Sequence, residues 1–113
     1  MFKKEYPYLY ETHMHTCESS ACARSTGKEM AQAAKEAGYT GIINTDHSWY
    51  GNNCIDAGLG WEEWITQFAK GYENARKWGE QIGLDVFFGY ESCYHGTEFL
   101  VYGVDKRAPV EEG

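Results

Sequence analysis

The chain has 113 residues, 42% hydrophobic and 24% charged, the size and balance of one soluble globular domain with a single modest core. With 17 acidic against 10 basic residues the net charge is −7, and no basic run interrupts that balance, which argues against nucleic acid and anionic membrane surfaces as partners. No apolar run approaches the ~20 residues that cross a bilayer, and the polar start around Lys3 and Lys4 does not read as a secretory signal.

Residues 1–5 read as a loose, charged start, and residues 6–16 as a first strand with Leu9 and Tyr10 as core candidates. Side chains alternate along a strand, so His13 and His15 share one face and Met14 takes the other. Residues 17–26 are small and polar, a loop over the C-terminal end of that strand. Ser25 or Thr26 is the predicted cap of the next helix, and Glu29 completes a capping box with Thr26. Met30, Ala33, Ala34 and Ala37 recur at helical spacing before Gly38 stops the run.

Gly41-Ile42-Ile43-Asn44-Thr45 is the second strand of a βαβ unit, buried on both faces, parallel to the first and ending at Asp46-His47. Residues 48–60 form a long Gly- and Asn-rich loop containing Trp49 and Tyr50, of the kind that shapes a pocket. One helix is predicted over 61–82 from the stripe Trp61, Trp64, Ile65, Phe68, Tyr72, Ala75, Trp78 and Ile82. Gly71 and Gly79 weaken it by about 1 kcal/mol each, or permit close packing on the sheet. Residues 84–90 are a third strand ending at Glu91, and 97–104 a fourth. The short link between them predicts an antiparallel hairpin; residues 105–113 read as a tail. The expectation is an α/β domain of about four strands and two main helices, with no internal repeat.

Three strand ends thus deliver His13 and His15, Asp46 and His47, and Glu91 to one rim. Sites in parallel α/β folds lie at that end of the sheet, and imidazoles with a carboxylate are metal donors. Cys17, Cys22, Cys54 and Cys93 form no Cys-x-x-Cys pair, so reduced thiols and a cytoplasmic location are expected. Cys17 and Cys93 neighbour the ligand positions but read as small buried side chains.

His13-Met14-His15-Thr16, the segment Gly38 through Thr45-Asp46-His47, and Phe88-Gly89-Tyr90-Glu91 resemble the first three motifs of the PHP (polymerase and histidinol phosphatase) domain. The resemblance spans roughly residues 8–104 and implies the N-terminal part of a distorted β/α barrel. It also implies up to three divalent ions (zinc, manganese or iron) and hydrolysis of a small-molecule phosphoester by a metal-activated water. On that resemblance His13 and His15 hold one ion, Glu91 bridges it to a second, and His47 belongs to a third. Asp46 either orients a ligand or is a turn residue, and Glu18 stands where many members have a further histidine. Glu98 or His95 takes the place of another. Arg24 is the best-placed cation for a substrate phosphate, against an ordinary surface arginine, and Trp49 or Tyr50 is placed to stack on a leaving group.

The family's later motifs have no counterpart here, and four strands do not close a barrel that takes roughly 200 or more residues. A truncated half-barrel is therefore expected, a fragment or a protomer completed by association, most simply a homo-oligomer. Two other readings stay open: an amidohydrolase-like barrel hydrolase, and a non-catalytic metal-binding or assembly module.

Overall fold

Ile42 and Tyr90, both nearly inaccessible, mark the helix-covered face of a four-stranded sheet. The computed structural model describes residues 8–48, 52–56, 58–94 and 97–103. The elements run β1 (Tyr10–Met14), α1 (Gly27–Glu36), β2 (Gly41–His47), α2 (Trp61–Phe68), α3 (Lys70–Ile82), β3 (Asp85–Tyr94) and β4 (Thr97–Tyr102). The strands lie in the order β1-β2-β3-β4, the first three parallel and β4 antiparallel to β3, so both the βαβ reading and the hairpin hold. The tail over 105–113 lies outside the described residues, as do Trp49, Tyr50 and His95.

Helix α1 begins as its sequence dictates. The Thr26 hydroxyl accepts from the Glu29 N–H at 3.1 Å, and Glu29 Oε1 accepts from the Thr26 N–H at 2.8 Å. Gly38, at φ 96°, turns the chain out of the helix in a conformation open to glycine. The buried face differs from the predicted one: Ala31 is inaccessible and Met30 and Ala34 are half-buried, whereas Ala33 and Ala37 are exposed.

The single helix expected over 61–82 is two, broken at Ala69. The physical reason lies in two separate cores. Trp64, Ile65 and Phe68 pack with Ile55 and Tyr90, while Ala75 packs with Met14, Ala31, Ile42 and Leu84. A straight helix aims one stripe in one direction, so serving both cores requires a change of axis. Trp61, expected in the stripe, is 56% exposed. In α3 the buried ridge is Gly71, Ala75 and Gly79, one residue per turn. A Cβ on Gly71 would run into Thr16 Oγ1, and one on Gly79 would lie 2.6 Å from the Leu84 carbonyl oxygen. The glycines therefore set how closely α3 approaches the loop after β1 and the start of β3.

Candidate metal centre

His47 and Glu91 are register partners on the parallel strands β2 and β3. β3 runs on to Tyr94, so Glu91 is not the end of its strand as expected; it sits inside β3 at the level where β2 stops. On the other side of β2, the β1 register shifts between Glu11 and Met14, an irregularity of the kind that re-aims side chains. His13 lies within it and His15 just past the end of β1, and their Nε2 atoms lie 2.6 and 2.9 Å from one oxygen, Glu91 Oε1. His47 Nδ1 lies 3.5 Å from the other, Oε2. Three imidazoles, from β1, the residue just past its end, and β2, thus meet one buried carboxylate from β3.

The groups are graded in exposure. Side chains of His13, His15, His47 and Glu91 are 51%, 18%, 11% and 5% exposed, so the cluster opens on the His13 side. Burial pushes the Glu91 carboxyl up, but hydrogen bonds from His15 and His13 and the charge of His47 outweigh it, leaving it below the usual glutamate value. Burial lowers the His47 imidazole, and the neighbouring His15 lowers it further against the opposing pull of Glu91 and Asp46. A buried carboxylate among three imidazoles is a donor set that suits a divalent ion.

Donor atoms of His13, His15 and Glu91 lie within 4.8 Å of one another, as do those of His47, Glu91 and Glu98. Glu98 therefore joins the cluster from β4. A third group of the same compactness is His15, Cys22 and His47. Cys22 Sγ is 3.3 Å from His15 Nδ1 and 3.6 Å from His47 Nε2. Cys17 and Cys93 neighbour the ligand positions in the sequence, and Cys17 is not in this group. Cys17 Sγ instead lies 3.9 Å from Glu18 Oε1, and the Cys93 side chain is outside the described residues.

Two further candidates are turned elsewhere. Glu18 accepts from the Gly27 N–H with both oxygens at 3.0 Å and from Asn74 Nδ2 at 2.9 Å. Its carboxylate satisfies a free N–H at the start of α1, where the helix dipole also favours negative charge. Glu18, expected among the ligands, thus has its carboxylate at the helix start, and it is in none of the compact donor groups among the described residues. Asp46 is 1% exposed and accepts from the Thr16 N–H, Thr16 Oγ1, Ser20 Oγ and Asn44 Nδ2 at 2.5, 2.6, 2.8 and 2.9 Å. Those bonds fasten the loop that carries Cys22 rather than touching an imidazole. Arg24 is exposed on the same loop.

A solved structure from Bifidobacterium adolescentis, provisionally described as a metal-dependent phosphoesterase, superposes with a TM-score of 0.55 at 18% identity. It shares the fold. The match covers 84% of this chain and 27% of that one. Glucoside xylosyltransferase 2 of Xenopus laevis is 32% identical over 71 residues, 55% of this chain and 17% of that protein. No family model matches the chain. Among the described residues, no helix is long and apolar enough to cross a membrane.

Proposed function

We propose that this chain carries part of the metal centre of a phosphoester hydrolase of the PHP kind. The observation that carries the reading is the convergence of His13, His15 and His47 on the two oxygens of Glu91. On it, His13, His15 and Glu91 hold one divalent ion and His47, Glu91 and Glu98 a second. Nitrogen and oxygen donors of this mix suit zinc, manganese or iron(II).

Bound there, such ions supply an acidified water near neutral pH and positive charge for the phosphoryl oxygens. The chain's own groups prepare the place. Glu91, buried and ionised, holds three rings in fixed orientation, and the 51% exposure of His13 leaves a side from which substrate reaches the cluster. A net charge of −7 repels a phosphate monoester, so cations at this rim are what makes binding favourable. Arg24, exposed on the adjoining loop, adds a positive charge on the approach. Asp46 acts as a positioning residue, through the loop it fastens. The fold neighbour described as a metal-dependent phosphoesterase supports the reading. The matched region is 27% of that neighbour, and further ligands are proposed to come from another copy or from additional polypeptide.

Elemental analysis of the purified protein, run beside its mass in solution, tests this. At least one firmly held divalent ion per chain is expected, with the load reduced in both His13→Ala and Glu91→Ala. Full metal content in both variants overturns the assignment. Release of p-nitrophenol from p-nitrophenyl phosphate, lost on chelation and restored by Mn²⁺ or Zn²⁺, is the matching activity readout.

A further inference from the structure

We propose that Cys22 is a metal ligand, and that its thiolate, with His47 Nε2 and His15 Nδ1, binds a borderline-soft divalent ion of the Zn²⁺ type. The proposal rests on the reading of this rim as a metal centre and deepens it by adding a sulfur donor. Its basis is geometric. Ligand atoms on a tetrahedral zinc, with Zn–S near 2.3 Å and Zn–N near 2.1 Å, stand roughly 3.6 Å apart for a sulfur–nitrogen pair. Cys22 Sγ stands 3.3 Å from His15 Nδ1 and 3.6 Å from His47 Nε2.

Glu91 lies on the side of both rings away from Cys22, where it favours the tautomers this requires. His15 presents Nε2 to Glu91 Oε1 at 2.9 Å, and His47 presents Nδ1 to Oε2 at 3.5 Å. A neutral imidazole donates from one nitrogen and accepts with the other. When His15 Nε2 donates to the carboxylate, its unprotonated nitrogen is Nδ1, which faces Cys22; His47 turns Nδ1 toward the same carboxylate and Nε2 toward Cys22. A carboxylate behind a ligating histidine is the usual means of orienting the ring and raising its basicity.

His15 and His47 each have a single free lone pair, so an ion beside Cys22 competes for both rings with the ions proposed at Glu91. Sulfur decides between them by metal type: thiolate favours zinc, while the His13, His15 and Glu91 set accepts harder ions such as Mn²⁺. Cys22 is exposed, leaving the ion open to water or substrate on that side, and ligation releases the thiol proton to solvent. The other described thiols have no such surroundings. Cys54 Sγ faces the carbonyl oxygens of Cys17 and Glu18, both at 3.7 Å, and Cys17 Sγ faces a carboxylate.

Cobalt titration of the reduced, metal-free full chain tests the proposal, because Co²⁺ reports its ligands spectroscopically. Visible d–d bands register binding, and a near-ultraviolet sulfur-to-cobalt charge-transfer band registers a thiolate ligand. The expected result is both bands in the wild type, loss of the charge-transfer band with retained d–d bands in Cys22→Ser, and both bands in Cys17→Ser, Cys54→Ser and Cys93→Ser. Far-ultraviolet circular dichroism confirms that Cys22→Ser is folded. d–d bands with no charge-transfer band in the wild type, or a charge-transfer band that survives Cys22→Ser, overturn the thiolate ligand and leave the metal centre standing. Absence of d–d bands in the wild type overturns the metal centre itself.

Discussion

Ser20 Oγ donates to Asp46 Oδ1 across 2.8 Å, and through this bond the loop after β1 is fastened to the end of β2. The same hydroxyl accepts from the His47 N–H at 3.1 Å, so one serine links the loop, the buried acid and a candidate ligand. Asp46→Ala strips a buried acceptor from the Thr16 N–H, Thr16 Oγ1, Ser20 Oγ and Asn44 Nδ2 at once. Each stranded buried donor costs about 1–3 kcal/mol, with some recovery through water. A loss of about 3 kcal/mol or more is therefore expected in urea unfolding. Asp46→Asn, which keeps one acceptor oxygen, should fall between the two. An Asp46→Ala protein with the wild-type urea midpoint would show that the network does not hold the loop.

That network also marks how far the sequence could be read. His13, His15 and His47 were legible because strand alternation and the ends of β1 and β2 place side chains by rule; Glu91 joins them from inside β3 because it is level with the end of β2, and the structure brings these four together. Glu18 was not legible. Its distance along the chain from the histidines suits a ligand, but its carboxylate accepts from the Gly27 N–H with both oxygens, a contact that sequence spacing does not reveal. Cys22 was missed for the converse reason. Nothing periodic fixes a side chain in an irregular loop; its position follows from Thr16 and Ser20 bonding to Asp46, contacts between residues 26 and 30 apart in sequence. The one available signal was the run of hydroxyls in that loop opposite an acid destined for burial. The break at Ala69 was hidden because both halves of the stripe are well-formed helix, and only the division into two cores separates them.

The capping box at α1 gives a second prediction. The sequence allowed Ser25 or Thr26 as cap, and the Thr26 hydroxyl is the one that accepts from the Glu29 N–H. Thr26→Ala should cost about 1 kcal/mol, the usual worth of such a cap, and Ser25→Ala should cost distinctly less. Paired urea denaturation curves decide it, and equal losses in the two variants would contradict the assignment.

Gly71 sets two effects against each other. Alanine in a helix interior gains up to about 1 kcal/mol over glycine. Here the new methyl would collide with Thr16, which is fully buried and bonded to Asp46 through its hydroxyl, so the neighbour cannot yield cheaply. Overpacking of this kind costs about 1–3 kcal/mol, and the collision should win. Gly71→Ala is expected to lower the thermal midpoint, while Lys77→Ala, exposed on the same helix, leaves it nearly unchanged. A Gly71→Ala protein that melts higher than wild type would mean that α3 and the loop are not in contact.

Acid should weaken the metal-free protein, through two groups acting in the same direction. Burial, reinforced by His15, lowers folded His47 below its ordinary 6.5, so the unfolded chain takes up that proton first. Its contribution is whole above about 6.5 and shrinks as the pH falls below it. Glu91 is raised by burial but lowered more by its hydrogen bonds from His15 and His13, and its folded value ends below the ordinary 4.5. Its contribution is whole above about 4.5 and is lost as the pH falls through the folded value. In the presence of a chelator, the urea midpoint should therefore decline in two stages on acidification from neutrality. His47→Gln should flatten the stage nearer neutrality and Glu91→Gln the more acidic one. A wild-type midpoint that climbs as the pH drops from about 7 to 5 would reverse the sign and show that His47 folds as the cation. Saturating Zn²⁺ or Mn²⁺ should raise the midpoint most near neutrality and least in acid, since protons and the ion compete for the same imidazoles and carboxylate.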